Sequence, residues 1–434
     1  MSNNKFAVKR KIFVDLAVGL VAVAFLISVK LYIDDSYISR WFNARGYELL
    51  HLFIPPFERE KDLSVVVVDI SDLKRDPDGT TPAESLREII EALVASKAKA
   101  IAIDIDFSPR ADAQDPLSAG ARHEDDEEFF EFLHEQKRNG VPVFVGAYNI
   151  GVEPKTWLGV EENKDLAADM TLFDEDTTQV PMWLRCGEDQ KLNSISKALA
   201  EASGIKPAPN FLLKMLLVNP EAQENLKPTL KEDKNGKQIW CERAFTFVNY
   251  AKLELIQKLT LQATDRGSIL SARTEEGKSK FEGKLVVIGN TQRGKASDCF
   301  VVLGRHRPIT GSHIHASAAY SLVDEPVYKF KHGVTIALDF FLGCVVVLGL
   351  FCVRWRRRED TQFSFHLWES RFITFSILIT LLLGFLLVRF FDVLWLDFSL
   401  VVFALLLHSK VQEWVRWVPT IFFIKKGPLP AKTE

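Results

Sequence analysis

The sequence predicts an extracytoplasmic α/β domain with a mostly parallel sheet, joined to an α-helical membrane domain of four transmembrane helices. Two observations carry this prediction. Apolar runs of membrane-crossing length sit at the two ends of the chain, and the charged middle alternates β-branched runs with helical periodicity. A formal net charge of -3 over 434 residues gives no basic bias, so nucleic acid is not an expected partner.

Residues 12–33 form the first apolar run, about twenty residues long, the length a helix needs to cross the hydrocarbon core. Ala22-Val23-Ala24 has the small-x-small look of a signal cleavage site, but the run continues through Phe25, Leu26, Ile27 and Val29, so an uncleaved anchor is expected. Residues 334–353, 372–388 and 393–407 supply three further spans, the last two joined by a tight outer turn over 389–392. Burial of these runs in a soluble core is the alternative, yet a soluble domain rarely needs so much continuous apolar sequence.

Basic residues set the orientation, because short basic loops resist translocation. Lys5, Lys9, Arg10 and Lys11 precede the first span, Arg354, Arg356, Arg357, Arg358 and Arg371 follow the second, and Lys410, Arg416, Lys425 and Lys426 follow the last. Four spans put all three groups on one side. Both termini are then cytoplasmic, and the chain divides into an N-terminus with the first span (1–33), an external domain (34–331), three spans (332–409) and a cytoplasmic tail (410–434).

Within the external segment, 63–70 reads as a strand, 83–96 as a helix and 99–107 as a second strand, together a βαβ unit with parallel strands. An acidic helix over 124–138 and a strand over 141–148 repeat the rhythm. After a long polar stretch come 194–202, 244–259, a strand over 285–289 and a closing helix over 311–324. The acidic residues 124–128 suit a solvated helix start, where the dipole favours negative charge. Gly140, Gly146, Gly289 and Gly294 are read as turn residues at strand ends.

The strand Val65-Val66-Val67-Val68-Asp69-Ile70, the strand from Ala98 to Phe107 (AKAIAIDIDF), the run Phe281-Glu282-Gly283-Lys284-Leu285-Val286-Val287-Ile288-Gly289, then Asp298 and Gly311-Ser312-His313-Ile314-His315-Ala316, occur in an order that resembles the CHASE2 family of extracytoplasmic sensory domains. The layout of one span before the domain and three after it extends the resemblance over about residues 12–407. Two departures stand out: the stretch 291–307 is poorer in Gly and Pro than the family's usual pattern, and an insertion over about 151–190 is long. The resemblance implies a sensory role, a homodimer and a bacterial inner-membrane location. Family members commonly carry a cytoplasmic output domain after the last span, whereas residues 410–434 are too few to fold as one, so a separate cytoplasmic or membrane output protein is expected.

Asp69, Asp104 and Asp106 fall at the carboxyl ends of two predicted parallel strands, where open α/β sheets bind ligands. With Asp298 and His315 they form a candidate site for an unknown extracytoplasmic polar ligand or a cation. The alternative is that these carboxylates cap helices and tie loops while His315 packs at the head of its helix. No cofactor is implied and no metal is assigned. The sequence has no G-x-S-x-G elbow, H-E-x-x-H pair or Walker loop, so an enzyme is not expected.

Cys186, Cys241 and Cys299 lie in the external segment, where an oxidising compartment allows a disulfide, and Cys186 with Cys241 is the first pair to test. Cys344 and Cys352 lie in the second span and read as small packing residues. Lys30 near the outer end of the first span and Asp339 inside the second could pair and couple domain movement to helix movement, or Lys30 could reach the interface while Asp339 faces a polar pocket. Besides the bilayer itself, the expected partners are a second copy of the chain and the output protein. The main expectation is a sensor or regulatory subunit; the alternative is a scaffold or membrane effector that assembles into an oligomer.

Overall fold

The computed structural model describes residues 63–74, 81–107, 124–147, 163, 165–172, 179–186, 192–205, 216–218, 229–232, 238–263, 280–292, 299–301, 308–356, 362–391 and 393–395, together with 46–47 and nine residues between 16 and 28. The chain forms two compact units, His51–Lys329 and a second made of Met1–Leu50 with Phe330–Glu434.

The first unit is built on a six-stranded sheet. Its strands are β1 (Val65–Asp69), β2 (Ala100–Asp106), β3 (Val143–Ala147), β4 (Ala167–Asp169), β10 (Leu261–Gln262) and β11 (Leu285–Gly289), in spatial order β10-β1-β11-β2-β3-β4. The strands numbered between these are β5 (Gln179–Cys186), β6 (Leu192–Asn193), β7 (Leu217–Val218), β8 (Thr229–Glu232) and β9 (Gln238–Phe247). Every pairing in the six-stranded sheet is parallel. Parallel sheets need both faces covered, and the near-continuous apolar strands VVVVD, VFVGA and LVVIG meet that need.

Helices α1 (Ala83–Ala95) and α2 (Glu124–Arg138) cover one face. Leu86, Ile89, Ile90 and Leu93 recur at the spacing of one helical stripe and are buried against Val68, Ile101, Ile103, Val286 and Ile288. Each contributes about 1.5–3 kcal/mol of burial. Phe129, Phe130 and Phe132 of α2 extend this core, with Phe107 stacked on Phe129 at 6.0 Å and the Arg87 guanidinium 4.8 Å from the centre of the Phe132 ring. The terminal Lys137 and Arg138 of α2 match the helix dipole at its carboxyl end.

The opposite face is covered by α3 (Ile195–Ser203), α4 (Leu253–Lys258) and α5 (Gly311–Val323). Ser194 caps α3 by accepting from the Lys197 amide, and Gly204 ends it in the left-handed conformation at φ 69°. Here the strands present small residues, Ala100 and Ala102 of β2, which let α5 lie close; all thirteen residues of α5 are buried.

A second sheet, antiparallel and ordered β6-β5-β9-β8, fills the long polar stretch. It corrects the reading of 244–259 as one element. Phe245, Thr246 and Phe247 end strand β9, paired with β5, and the chain then makes a single 3-10 turn over Tyr250–Lys252 before α4. Aromatic and β-branched side chains fit a pleated surface, so this segment pairs as a strand before the chain turns into a helix.

Two of the glycines read as turn residues belong to strands, Gly146 within β3 and Gly289 as the last residue of β11, while Gly294 lies outside the described residues. At Gly146 of β3 a Cβ would stand 2.7 Å from the Ile105 carbonyl oxygen and 2.9 Å from Met170 Sδ. Gly140 does occupy a turn, at φ 95°.

In the second unit, α6 (His332–Arg356) and α7 (Gln362–Phe391) are the two helices among the described residues that are long and apolar enough to cross a membrane, through His332–Val353 and Ser370–Leu387. Only 17% of each stretch is buried, which does not fit the core of a soluble domain. Phe340, Phe341, Val345, Leu348, Phe375 and Leu378 are exposed accordingly. Helix α7 begins ten residues before the predicted start at Phe372 and runs through Arg389, Phe390 and Phe391, where a turn is predicted. A continuous helix satisfies its own backbone groups, which an apolar surrounding demands. Val393–Leu394 is extended, so a helical fourth span does not start at Val393; the remainder of that predicted span lies outside the described residues.

The described residues of the predicted first span are helical, and Ser28 Oγ donates to the Ala24 carbonyl at 2.9 Å. Glycines let these helices pack closely. A Cβ at Gly343 of α6 would lie 2.7 Å from Val23 Cγ1, and one at Gly349 would overlap the Phe372 ring of α7.

Replacing Gly146 by Ala drives a methyl into a strand carbonyl that cannot move cheaply. The expected loss is about 1–3 kcal/mol, seen as a lower thermal midpoint of the detergent-solubilised chain.

Candidate functional site

Register places three strand ends side by side. Asp69 of β1 pairs with Gly289 of β11, which pairs with Asp104 of β2, and Gln262 of β10 extends the row beyond Asp69. Register partners share a face, so this row lies at the carboxyl edge on the side covered by α5. The Asp69 and Asp104 backbones stand two strand spacings apart, about 10 Å. Gly289 fills the gap between them with no side chain, and into that gap comes the first turn of α5.

Helix α5 follows from Ile309–Thr310, which pairs with Cys299–Phe300 in a short antiparallel ribbon. Ser312 Oγ donates to Asp104 Oδ2 at 2.6 Å. A Cβ on Gly289 would sit 2.1 Å from Ser312 Oγ and 3.2 Å from Asp104 Cβ, so only glycine permits this approach. One turn further, His315 lies with Nε2 3.3 Å from the Met170 carbonyl and 3.8 Å from Asp104 Oδ1. A carbonyl oxygen only accepts, so Nε2 carries the proton. Ser196 of α3 stands 3.4 Å from His315 Nδ1 and donates to the His315 carbonyl at 3.1 Å.

Ser196, His315 and Asp104 thus form a line that looks like a nucleophile, base and carboxylate. Its geometry is that of an internal tie. All three side chains are buried, the serine proton is directed at a main-chain carbonyl, and the His315 to Asp104 separation exceeds a hydrogen bond.

His313, on another face of α5, bridges two threonines. Thr260 Oγ1 donates to the Ile256 carbonyl and therefore accepts from His313 Nε2 at 3.0 Å, leaving Nδ1, 2.8 Å from Thr310 Oγ1, as the acceptor of the Thr310 hydroxyl. Ser317 and Ser321 return their hydroxyls to carbonyls one turn back, at 2.8 and 2.7 Å. A helix buried on all sides is thereby satisfied despite its polar residues.

Asp69 accepts four hydrogen bonds of 2.9 Å: from the Ser71 amide and the Thr291 amide at Oδ1, and from the Ser71 hydroxyl and Gln262 Nε2 at Oδ2. Burial pushes its acidity the other way, but the Thr291 hydroxyl and amide, the Ser71 amide and Gln262 outweigh it and hold the carboxyl below its ordinary value. These donors use the acceptor capacity of the group, so Asp69 binds the turn after its own strand, β10 and the turn after β11 to one another. It acts as a positioning residue for the carboxyl edge.

Of the other sequence-predicted residues, Asp106 ends β2, where its backbone pairs with Gly146 after a register shift. Asp298 and Lys30 lie outside the described residues, and Asp339 is buried on α6. The structure therefore joins Asp104 with His315 and holds Asp69 apart from them. Among the described residues no group of three or more His, Cys, Asp and Glu side chains is arranged to hold a metal ion. Sequence reasoning missed Ser312, Ser196 and Asp169. Asp169 ends β4 in the same way that Asp69 ends β1, accepting from the Thr171 amide at 3.1 Å and hydroxyl at 2.6 Å. The signal available for both was Asp followed two residues later by Ser or Thr, a local turn pattern.

The strand ends thus carry Asp69, Gly289 and Asp104 beside a helix that opens Gly311-Ser312-His313. The family model for the CHASE2 domain matches residues 16–351. The chain belongs to the CHASE2 domain family. CHASE2 domains are extracytoplasmic sensory domains, and the match takes in the α/β unit and most of α6. No curated protein and no solved structure matched the chain.

Two outcomes test the geometry of this CHASE2 domain. Ser312→Ala leaves a buried Asp104 oxygen without its donor and is expected to cost about 1–3 kcal/mol, whereas Gly289→Ala displaces the head of α5 and costs at least as much; thermal unfolding of each full-length variant reads the difference. Because the folded-state acidity of Asp69 is raised, its contribution is complete above the ordinary carboxyl value of 3.8 and is lost as pH falls through the lower folded value. Unfolding midpoints measured from pH 6 down to about pH 2 should fall less steeply for Asp69→Asn than for the parent.

Proposed function

We propose that this CHASE2 protein is a sensor or regulatory subunit of a bacterial plasma membrane, which receives an extracytoplasmic signal at the carboxyl edge of its sheet and passes it through its helices to a separate output protein. One observation carries the reading. Helix α5 is held at its head by Ser312 to the strand-end carboxylate of Asp104 and is followed, after Asp324–Lys331, by the span helix α6.

A ligand that alters the hydrogen bonds at the carboxyl edge acts on the residues that fix α5, the helix that precedes α6 in the chain. Interiors this closely packed respond by switching between discrete arrangements rather than by continuous deformation. The bias a ligand exerts equals its difference in affinity for the two arrangements. Oxygen and imidazole groups described at this edge, Asp104 and His315, suit a polar or cationic ligand. Asp69 contributes by holding the loop after β11 at Thr291.

The orientation that fits this reading has both termini in the cytoplasm, since four spans would group the flanking basic residues on one side. In this reading the signal is handed to an output protein on the cytoplasmic side.

Isolation of the full chain from its native membrane in mild detergent, with mass spectrometry of the chains that stay bound, tests the proposal. A cytoplasmic or membrane signalling protein in stoichiometric amount is the expected result. Recovery of this chain alone, as a large homo-oligomer, would sink the proposal in favour of a self-sufficient membrane assembly.

A further inference from the structure

The cysteine pair at the end of the antiparallel sheet supports an inference beyond the sensory reading. Strands β5 and β9 run antiparallel with Leu184 opposite Arg243, Arg185 opposite Glu242 and Cys186 opposite Cys241. The ion pair between Arg185 and Glu242 joins the two strands at the adjacent position and pins this register. Register partners in an antiparallel pair lie on one face, with α-carbons about 4.5 or about 5.5 Å apart according to their hydrogen bonding. Both separations fall within the roughly 4.4–6.8 Å over which a disulfide spans two α-carbons.

We infer that Cys186 and Cys241 are joined by a disulfide that closes the β5–β9 ribbon. The inference rests on the extracytoplasmic placement of the CHASE2 domain, because disulfides persist in oxidising compartments. A thiolate of one cysteine attacks a protein disulfide of the compartment's oxidising machinery and forms a mixed disulfide. The thiolate of the other displaces that carrier. The two cysteines lose two electrons and two protons in all, and the carrier leaves as a dithiol. Cys299, the remaining cysteine of the external unit, is free, and Cys344 lies on α6 with Cys352.

The bond has a structural consequence. Between β5 and β9 the sequence contains β6, α3, β7 and β8, and β9 is followed by the turn Tyr250–Lys252 and α4, which shares a core with α5. Closing residues 186–241 covalently removes freedom from the unfolded chain and fixes the open end of the ribbon.

The test alkylates the full chain, taken from native membranes under denaturing and non-reducing conditions, with a first reagent, then reduces it and applies a second of different mass. Cys186 and Cys241 should carry the second reagent in essentially every chain and appear as one cross-linked peptide before reduction, while Cys299 carries the first. Cys186 and Cys241 bearing the first reagent, or either of them linked to Cys299 or to a second chain, would overturn the inference. In that event a membrane-impermeant maleimide on intact spheroplasts separates the two premises. Labelling of Cys186 from outside leaves the extracytoplasmic sensory reading standing and removes only the disulfide; labelling that needs lysis removes both.

Discussion

The close contact between the head of helix α5 and the row Asp69–Gly289–Asp104 is the constraint on which the rest of the external unit depends. Gly289 supplies the missing volume, Asp104 the acceptor and Ser312 the donor. The contact sets the depth at which α5 lies on the sheet, and that depth decides the residues around it. Ala100 and Ala102 must be small, His315 finds the Met170 carbonyl within reach, and Ser196 of α3 meets His315 from the neighbouring helix. Larger residues beneath α5 would lift the helix and part Ser312 from Asp104 and His315 from the Met170 carbonyl, leaving buried polar groups without their partners.

Polarity in this unit therefore has two separate jobs. Asp69 and Asp169 end parallel strands and bind the turns that leave them, each through a Ser or Thr two residues on. Asp104 ends its strand too, but its partner is the serine of a helix from far along the chain. The first kind is local and stabilises an edge. The second is long-range and ties the edge to the helix that precedes α6 in sequence, the order on which the proposed function draws.

Much of the architecture was legible in the sequence. The strands at 65–69, 100–106 and 285–289 and the helices at 83–95 and 311–323 fell where β-branched runs and apolar stripes predict them, because a parallel sheet with two covered faces leaves a strong hydrophobic pattern. The antiparallel sheet was not legible. Its strand β5, QVPMWLRC, contains a proline and lies in a polar stretch, and β9 carries Arg243 and Glu242 among its apolar residues, so neither shows clean alternation. Gly146 and Gly289 were misread as turn residues since the sequence cannot distinguish a glycine needed for backbone freedom from one needed for room.

By itself the sequence determined the class of fold, the separation of an apolar helical part from a charged α/β part, and the residues at the carboxyl ends of the strands, since periodicity and strand ends are local properties. Tertiary structure alone decided which of those residues meet. The insertion of β11 between β1 and β2 sets Asp69 apart from Asp104, and the packing of α5 brings Ser312 and His315 to Asp104 rather than to Asp69. Likewise, antiparallel register decided that Cys186 faces Cys241. Strand order and register depend on contacts between residues far apart in the chain, and no local pattern encodes them.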